Sequence, residues 1–338
     1  MRLTIIFGLV VITIASCLAD TNCKLLFTAK VSSKYPIYPY MPKLAIDEKG
    51  QFWVIKQADG KVYVYDSVGH ERNKIDIKAV QDSLGEFDLF FLSQNHIWLT
   101  GSLLSTLPHS TLEQIFYQLD LTGKILNKVV LPRLAFPVSG WASDSLLFIF
   151  WRYTYSDLFI NKPGYIITYR LTEYDLTKDS FVKITEIDFP EIYDGDAFVS
   201  KDSLYIAAQL FERTSWDPIE TNRIIVIDFE GREIRRSGIK MPNEFTLLGL
   251  TCLGFDDLGR LIFTNIFSND STIIWVIDPD EGLKETIDMY PVFRKMNALP
   301  WVNLGEFGIT AVLRDNKLYF GISTNKKEFH VISVDLGK

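Results

Sequence analysis

Residues 224–234 read "IIVIDFEGREI". Four apolar residues run into Asp228, Glu230 and Gly231 follow, and a new strand-like stretch begins. A run of Ile and Val closed by Asp and Gly reads as a β-strand ending in a tight turn. The phrase recurs with substitutions along the chain. An Asp closes an apolar run at Asp66 ("VYVYDSVG"), Asp120 ("FYQLDLTG"), Asp175 ("TEYDLTKD"), Asp228, Asp278 ("IWVIDPDEG") and Asp335 ("ISVDLGK"), at intervals of 50 to 57 residues. Six occurrences at a near-constant interval mark a repeat architecture.

A second marker interleaves with the first. Gly, Asn or Asp is followed by one polar and one apolar residue at Gly50-Gln51-Phe52, Asn95-His96-Ile97, Asp144-Ser145-Leu146, Asp202-Ser203-Leu204, Gly259-Arg260-Leu261 and Asn316-Lys317-Leu318. These three residue types accept positive φ most readily, and a short hairpin turn needs one near its end. Between the markers lie short runs of Val, Ile, Phe, Tyr and Leu, four to a unit: "KLAID", "QFWVIK", "KVYVYD" and "NKIDI" in 43–77, then "LGLTCLGFD", "RLIFTNI", "TIIWVID" and "LKETIDM" in 248–289. No long stretch keeps a helical period. Four antiparallel strands per unit of about 50 residues describe a propeller blade. The expected fold is therefore all-β, a six-bladed β-propeller. The last unit offers three strands, and "KLLFTAKVS" (24–32) has no unit of its own. An open ring leaves unpaired backbone at its edge. The N-terminal strand is accordingly expected beside the final one, Leu25–Val31 against Phe329–Val334, completing the last blade.

The chain has 338 residues, 47% hydrophobic and 14% aromatic, with a net charge of −7. It can fill a large core, and its acidity disfavours a phosphate backbone, so no nucleic-acid partner is expected. "LTIIFGLVVITI" (3–14) follows Met1-Arg2 and has signal-peptide dimensions. "IASC" (14–17) resembles a bacterial lipobox, which implies removal of 1–16, lipidation at Cys17, a tether over 17–23 and one propeller domain over 24–338. Ordinary cleavage after Ala19 is the alternative and would leave a secreted or periplasmic soluble protein. Cys23 and Cys252 are not expected to bridge, because the layout puts one in a tail and the other on an inner strand.

Blades one and five carry both turn phrases, "AIDEKGQFWVI…VYVYDSVG" and "GFDDLGRLIFT…IWVIDPDEG". They resemble the NHL-type and TolB-like six-bladed propellers, including uncharacterised six-bladed propeller lipoproteins of bacterial envelopes. The resemblance covers roughly 24–338 at the level of fold; the other blades match one phrase each. It implies a cell-envelope location.

In such a fold the tight Asp/Gly turns share one face. Long connections at 101–113, 152–164, 189–195, 213–222 and 289–305 share the other, where function concentrates. "WRYTYSD" (151–157) and "FERTSWDP" (211–218) lie on neighbouring blades. Trp151, Tyr153, Tyr155, Phe211 and Trp216 would offer stacking surfaces there, and Arg152 and Arg213 forked donors, suited to a protein, peptide or glycan. The same aromatics have a second reading, as packing between blades. Glu86, Asp194, Asp196 and Glu306 begin inner strands near the channel mouth, where oxygen ligands would suit Ca²⁺ or Mg²⁺. Six-bladed lactonases resembling gluconolactonase hold a metal there, but their ligand set includes Asn and does not align here. No His-Glu-x-x-His, Gly-x-Ser-x-Gly or P-loop occurs. Of four histidines only His109 falls in a long connection. The expected function is non-catalytic binding by a monomer with no cofactor. The alternative is a metal-dependent lactonase- or hydrolase-like enzyme.

Overall fold

Short β-branched and aromatic runs punctuated by Asp and Gly satisfy their backbone by pairing with a neighbouring run, and within each described sheet from β2 onward that neighbour is the next run along. The computed structural model describes residues 23–30, 43–56, 60–84, 86–93, 95–102, 113–132, 136–143, 145–156, 165–187, 192–200, 203–211, 218–228, 232–238, 251–264, 273–295, 309–323 and 328–337. Strand β1 (Cys23–Lys30) comes first among the described residues. Sheet one holds β2 (Lys43–Ile46), β3 (Phe52–Lys56), β4 (Lys61–Tyr65) and β5 (Glu71–Asp76). Sheet two holds β6 (Glu86–Ser93), β7 (His96–Ser102), β8 (Glu113–Leu119) and β9 (Ile125–Pro132). Sheet three holds β10 (Phe136–Ala142), β11 (Leu146–Ser156), β12 (Tyr165–Asp175) and β13 (Ser180–Ile187). Sheet four holds β14 (Ile192–Ser200), β15 (Ser203–Phe211), β16 (Pro218–Asp228) and β17 (Glu233–Gly238). Sheet five holds β18 (Thr251–Phe255), β19 (Leu261–Thr264), β20 (Ile273–Asp278) and β21 (Gly282–Asp288), and the last sheet holds β22 (Ile309–Arg314), β23 (Lys317–Ser323) and β24 (Glu328–Asp335). Two short helices, α1 (Lys78–Ser83) and α2 (Tyr290–Lys295), link sheets one to two and five to six.

Each sheet is an antiparallel meander, and the last has the order β1-β24-β23-β22. The strand left over at the N-terminus lies where the C-terminal unit lacks one: β1 pairs with β24 from Cys23 opposite Val334 to Lys30 opposite Glu328. Val31, included in the expectation, lies outside the described residues. The first strands touch in succession, β2 to β6, β10, β14, β18 and β22, and β22 returns to β2. Sheets radiating from a circle of first strands are an all-β propeller.

The core lies between sheets. Trp53, Ile55 and Val64 of sheet one meet Ile97, Leu99 and Tyr117 of sheet two, capped by Val80 of α1. Ile262 and Ile274 of sheet five meet Phe320 and Ile332 of the last sheet, capped by Val292 and Phe293 of α2. Phe27 of β1 packs with Phe52 and Tyr65 of sheet one. Burying each such side chain is worth about 1.5–3 kcal/mol.

The turns explain the repeat. In Asp47, Asp66, Asp120 and Asp256 the carboxylate Oδ1 accepts the amides two and four residues on. Their carbonyls accept the amide of the glycine three residues on. That glycine has positive φ: Gly50 74°, Gly69 88°, Gly123 91° and Gly259 79°. Asn95 and Asn316 also have positive φ, as the second marker requires, while Asp144 and Asp202 lie outside the described residues. At Gly69 and Gly123 a second constraint applies. A Cβ on Gly69 would stand 2.0 Å from Phe27 Cβ, and one on Gly123 would stand 2.5 Å from Ile75 Cγ2. Both turns therefore seat directly on the outer strand of the preceding sheet.

Outer strands are blunted by a common device. The pairings of β5, β9, β13, β17 and β21 each skip one residue just after the turn, respectively Arg72, Leu126, Val182, Ile234 and Lys284. Such bulges twist an edge strand away from further pairing. Sheets two, three and four present apolar residues there, 47%, 52% and 57% exposed in that order.

Candidate functional site

The two faces of the molecule differ in how their connections are made. On one, the β2–β3, β4–β5, β8–β9, β12–β13 and β18–β19 links are hairpins of four or five residues locked by Asp carboxylates. Toward the other run the C-terminal ends of β7, β11, β15, β17 and β19, and of β5 and β21, which lead into α1 and α2. This is the division expected from strand alternation.

The structure moves several candidates from loop to strand. Of the "WRYTYSD" segment, residues 151–156 are strand and not connection, because β11 continues to Ser156 and pairs with β12 along its whole length, while Asp157 lies outside the described residues. Arg152 lies opposite Tyr169, Tyr153 opposite Thr168 and Tyr155 opposite Ile166. The interval 189–195 is likewise partly strand, since β14 starts at Ile192. Part of 289–305 is α2. Phe211 ends β15, opposite Pro218. Arg213, Trp216 and His109 lie outside the described residues. β11 and β15 are the second strands of adjacent sheets and run toward the same face.

Trp151 does not present a stacking surface. It is 0% exposed and packs with Trp98, Phe116 and Val129 of sheet two, its ring 6.0 Å from Phe116 and edge-on. Its indole N–H donates to Thr172 Oγ1 at 3.0 Å. Strand alternation decides this: Leu147, Ile149 and Trp151 share the face of β11 that meets sheet two. The second reading of the aromatics therefore holds for this residue.

Beneath that segment the structure assembles a polar seam between sheets two and three that was not anticipated. Thr100, Gln114 and Thr172 are buried, and Gln114 Nε2 donates to Thr100 Oγ1 at 2.7 Å. Trp98 Nε1 has no partner among the described residues. The available signal was Thr and Gln at inward positions of apolar strands, in "HIWLTGS" and "EQIFYQL".

The carboxylate candidates remain positions rather than a site. Glu86 is the first residue of β6, opposite Ser102. Asp194 and Asp196 lie on β14, opposite Gln209 and Ala207. Glu306 and Cys17 lie outside the described residues. Among the described residues no group of three His, Cys, Asp or Glu side chains is placed to hold a metal, and no helix is long and apolar enough to cross a membrane. Cys23 and Cys252 are both buried and are not bridged to each other. Cys23 belongs to β1 rather than to a tail, with its Sγ 3.4 Å from Met289 Sδ.

The strongest electrostatic shifts sit on the tight-turn face. Burial pushes Asp66 upward, but the amides of His70 and Val68 and the Arg72 guanidinium outweigh it and hold the carboxyl at about 2. Hydrogen bonds from Lys178 and Thr177 lower Asp175. The Thr122 hydroxyl lowers Asp120, and the amides of Glu281 and Asp280 lower Asp278. These are turn carboxylates engaged by their own loops, and their shifts reflect structure rather than chemistry on a substrate.

No protein-family model and no curated protein sequence matches the chain. Among solved structures it is similar to virginiamycin B lyase from Staphylococcus aureus, at 12% identity over 92% of this chain and 99% of that one, TM-score 0.43. It is similar to the Pan2 WD40 domain of Neurospora crassa, at 9% identity over 92% and 95%, TM-score 0.44. Luciferin-regenerating enzyme is a third, at 12% identity over 91% and 94%, TM-score 0.45. Likeness at this level assigns no activity.

Proposed function

We propose that the chain is a six-bladed propeller of the NHL-like or TolB-like type, exported to a cell envelope, anchored by lipid on Cys17, and binding a protein, peptide or glycan through its long-connection face without catalysing a reaction. The observation that carries the binding reading is the asymmetry of the faces: one is tied down by turn carboxylates, while the strands that run to the other are separated by longer stretches of sequence. Six four-stranded sheets support the blade number, and "IASC" at the end of an apolar run supports the anchor. With Trp151 in the core, the residues that would contact a ligand are Arg152, Tyr153, Tyr155, Phe211, Arg213 and Trp216. The test is affinity capture from the native envelope with the wild-type chain and an Arg213→Ala/Trp216→Ala variant. A partner retained by the first and lost by the second is expected, and equal capture removes this face from consideration. Mass spectrometry of the mature N-terminus is expected to show acylated Cys17; a free Asp20 sinks the anchor.

A second reading rests on Glu86 and Asp194 lying on the inner strands of sheets two and four. It makes the channel mouth a Ca²⁺ or Mg²⁺ site of a lactonase- or hydrolase-like enzyme. Calcium that raises the melting temperature in the wild type but not in a Glu86→Gln/Asp194→Asn variant favours that reading, because a ligand bound only by the native state stabilises it.

A further inference from the structure

The last sheet is the one built from both ends of the chain, and its neighbours grip it from either side. From sheet five, Arg260 Nε donates to Asp256 Oδ2 at 2.7 Å, while its Nη2 reaches the carbonyls of Leu336 at 3.1 Å and Gly337 at 3.3 Å. The Asp257 amide donates to Asn316 Oδ1, in the turn between β22 and β23. Toward sheet one, Arg314 Nη2 donates to the Glu48 carbonyl, and the Gly69 turn sits on Phe27 of β1.

Arg260 stands apart from Arg232, which follows the turn between the third and fourth strands of sheet four. Arg232 makes the same reach to its turn carboxylate, Asp228, but its side chain is 72% exposed, whereas that of Arg260 is 11% exposed and Asp256 is fully enclosed. The carbonyls Arg260 holds follow directly on β24, beside the Cys23–Val334 pair at which β1 begins. Leu336 is itself buried, and its amide donates to the Asn316 carbonyl. An edge strand paired on one side only is the natural place for a fold to open locally, and here the end of its partner strand is clamped by a charged fork.

We propose that Arg260 is the latch of the ring-closing seam: it decides whether β1 separates from β24 on its own or only when the whole fold is lost. The guanidinium suits this role because it satisfies the enclosed Asp256 and two carbonyls at once. A lysine would keep the charge beside Asp256 without the fork.

Hydrogen exchange on the full chain, purified as it is expressed, tests the idea with Arg260→Lys, Arg260→Ala and, as control, Arg232→Ala. In the Lys variant the amides of β1 are expected to exchange at least about tenfold faster, while those of β3, β8 and β20 keep wild-type rates. The Ala variant, which strands Asp256, is expected to lose protection in β1 first and elsewhere by less. Arg232→Ala is expected to leave β1 unchanged. Unaltered β1 exchange in both Arg260 variants, or an equal rise in every sheet, overturns the latch, the second outcome reducing Arg260 to a general stabilising residue.

Discussion

Asp66 shows what a single residue does in this molecule. Its Oδ1 takes the amides of Val68 and His70, and its Oδ2 takes Arg72 Nε at 2.9 Å. The ionised form is thereby favoured in the folded state, with a pKa of about 2. A folded pKa below the unfolded one makes stability complete above about pH 4 and drains it as pH falls toward 2, where the unfolded chain takes up the proton first. Asp120, Asp175 and Asp278 act in the same direction. Melting temperature is therefore expected to hold from neutrality to about pH 4 and then to fall, and Asp66→Asn is expected to flatten part of that slope; a slope beginning near pH 6 would implicate histidine instead. Trp151 makes the opposite case, in which residue type misleads. Its place in an aromatic and basic run suggested a binding surface, whereas parity along β11 turns it toward Trp98 and Phe116. Trp151→Ala is expected to cost about 3–5 kcal/mol in denaturant unfolding. A loss within about 0.5 kcal/mol, typical of surface positions, contradicts its burial.

At the scale of elements, the hairpin turns separate two demands that a sequence merges. Gly50, Gly69, Gly123 and Gly259 look alike in sequence, and all have positive φ. A Cβ at Gly50 or Gly259 meets nothing within 4 Å, while one at Gly69 or Gly123 collides with the neighbouring sheet. Alanine at Gly50 or Gly259 is expected to cost about 1–2 kcal/mol of backbone strain. At Gly69 or Gly123 it is expected to cost clearly more, because Phe27 or Ile75 must also move; equal losses at all four positions in thermal unfolding would show that the sheets yield freely there. Strand number and order were legible because Asp, Gly and Asn mark each turn with a backbone requirement. Strand ends on the other face were not. Nothing in "WRYTYS" ends β11, since Tyr and Thr are as suited to a strand as to a loop, and the pairing with β12 carries the strand to Ser156.

For the whole molecule the decisive contact is the least local one, β1 against β24. Removing residues 1–30 strips the edge of β24 and uncovers Phe329 and Val331, which pack with Phe27. An exposed apolar edge of this length templates association. The truncated chain is expected to scatter light and sediment as large species where the full chain does not; a well-behaved, cooperatively melting truncation would mean that closure matters little. The pairing could be read beforehand because one end had a strand to spare and the other lacked one, a matter of counting rather than of geometry. From the sequence alone came the class of fold, the turns at Asp66, Asp120, Asp175, Asp228 and Asp278, and the gathering of tight turns on one face, since these follow from backbone preferences local to a few residues. That Trp151 is core, that Arg260 reaches past its own turn to the Leu336 and Gly337 carbonyls, and that buried Thr and Gln line the seam between sheets two and three were decided only in three dimensions. Those outcomes depend on which way a side chain points once a neighbouring sheet is in place, and that neighbour lies tens of residues away along the chain.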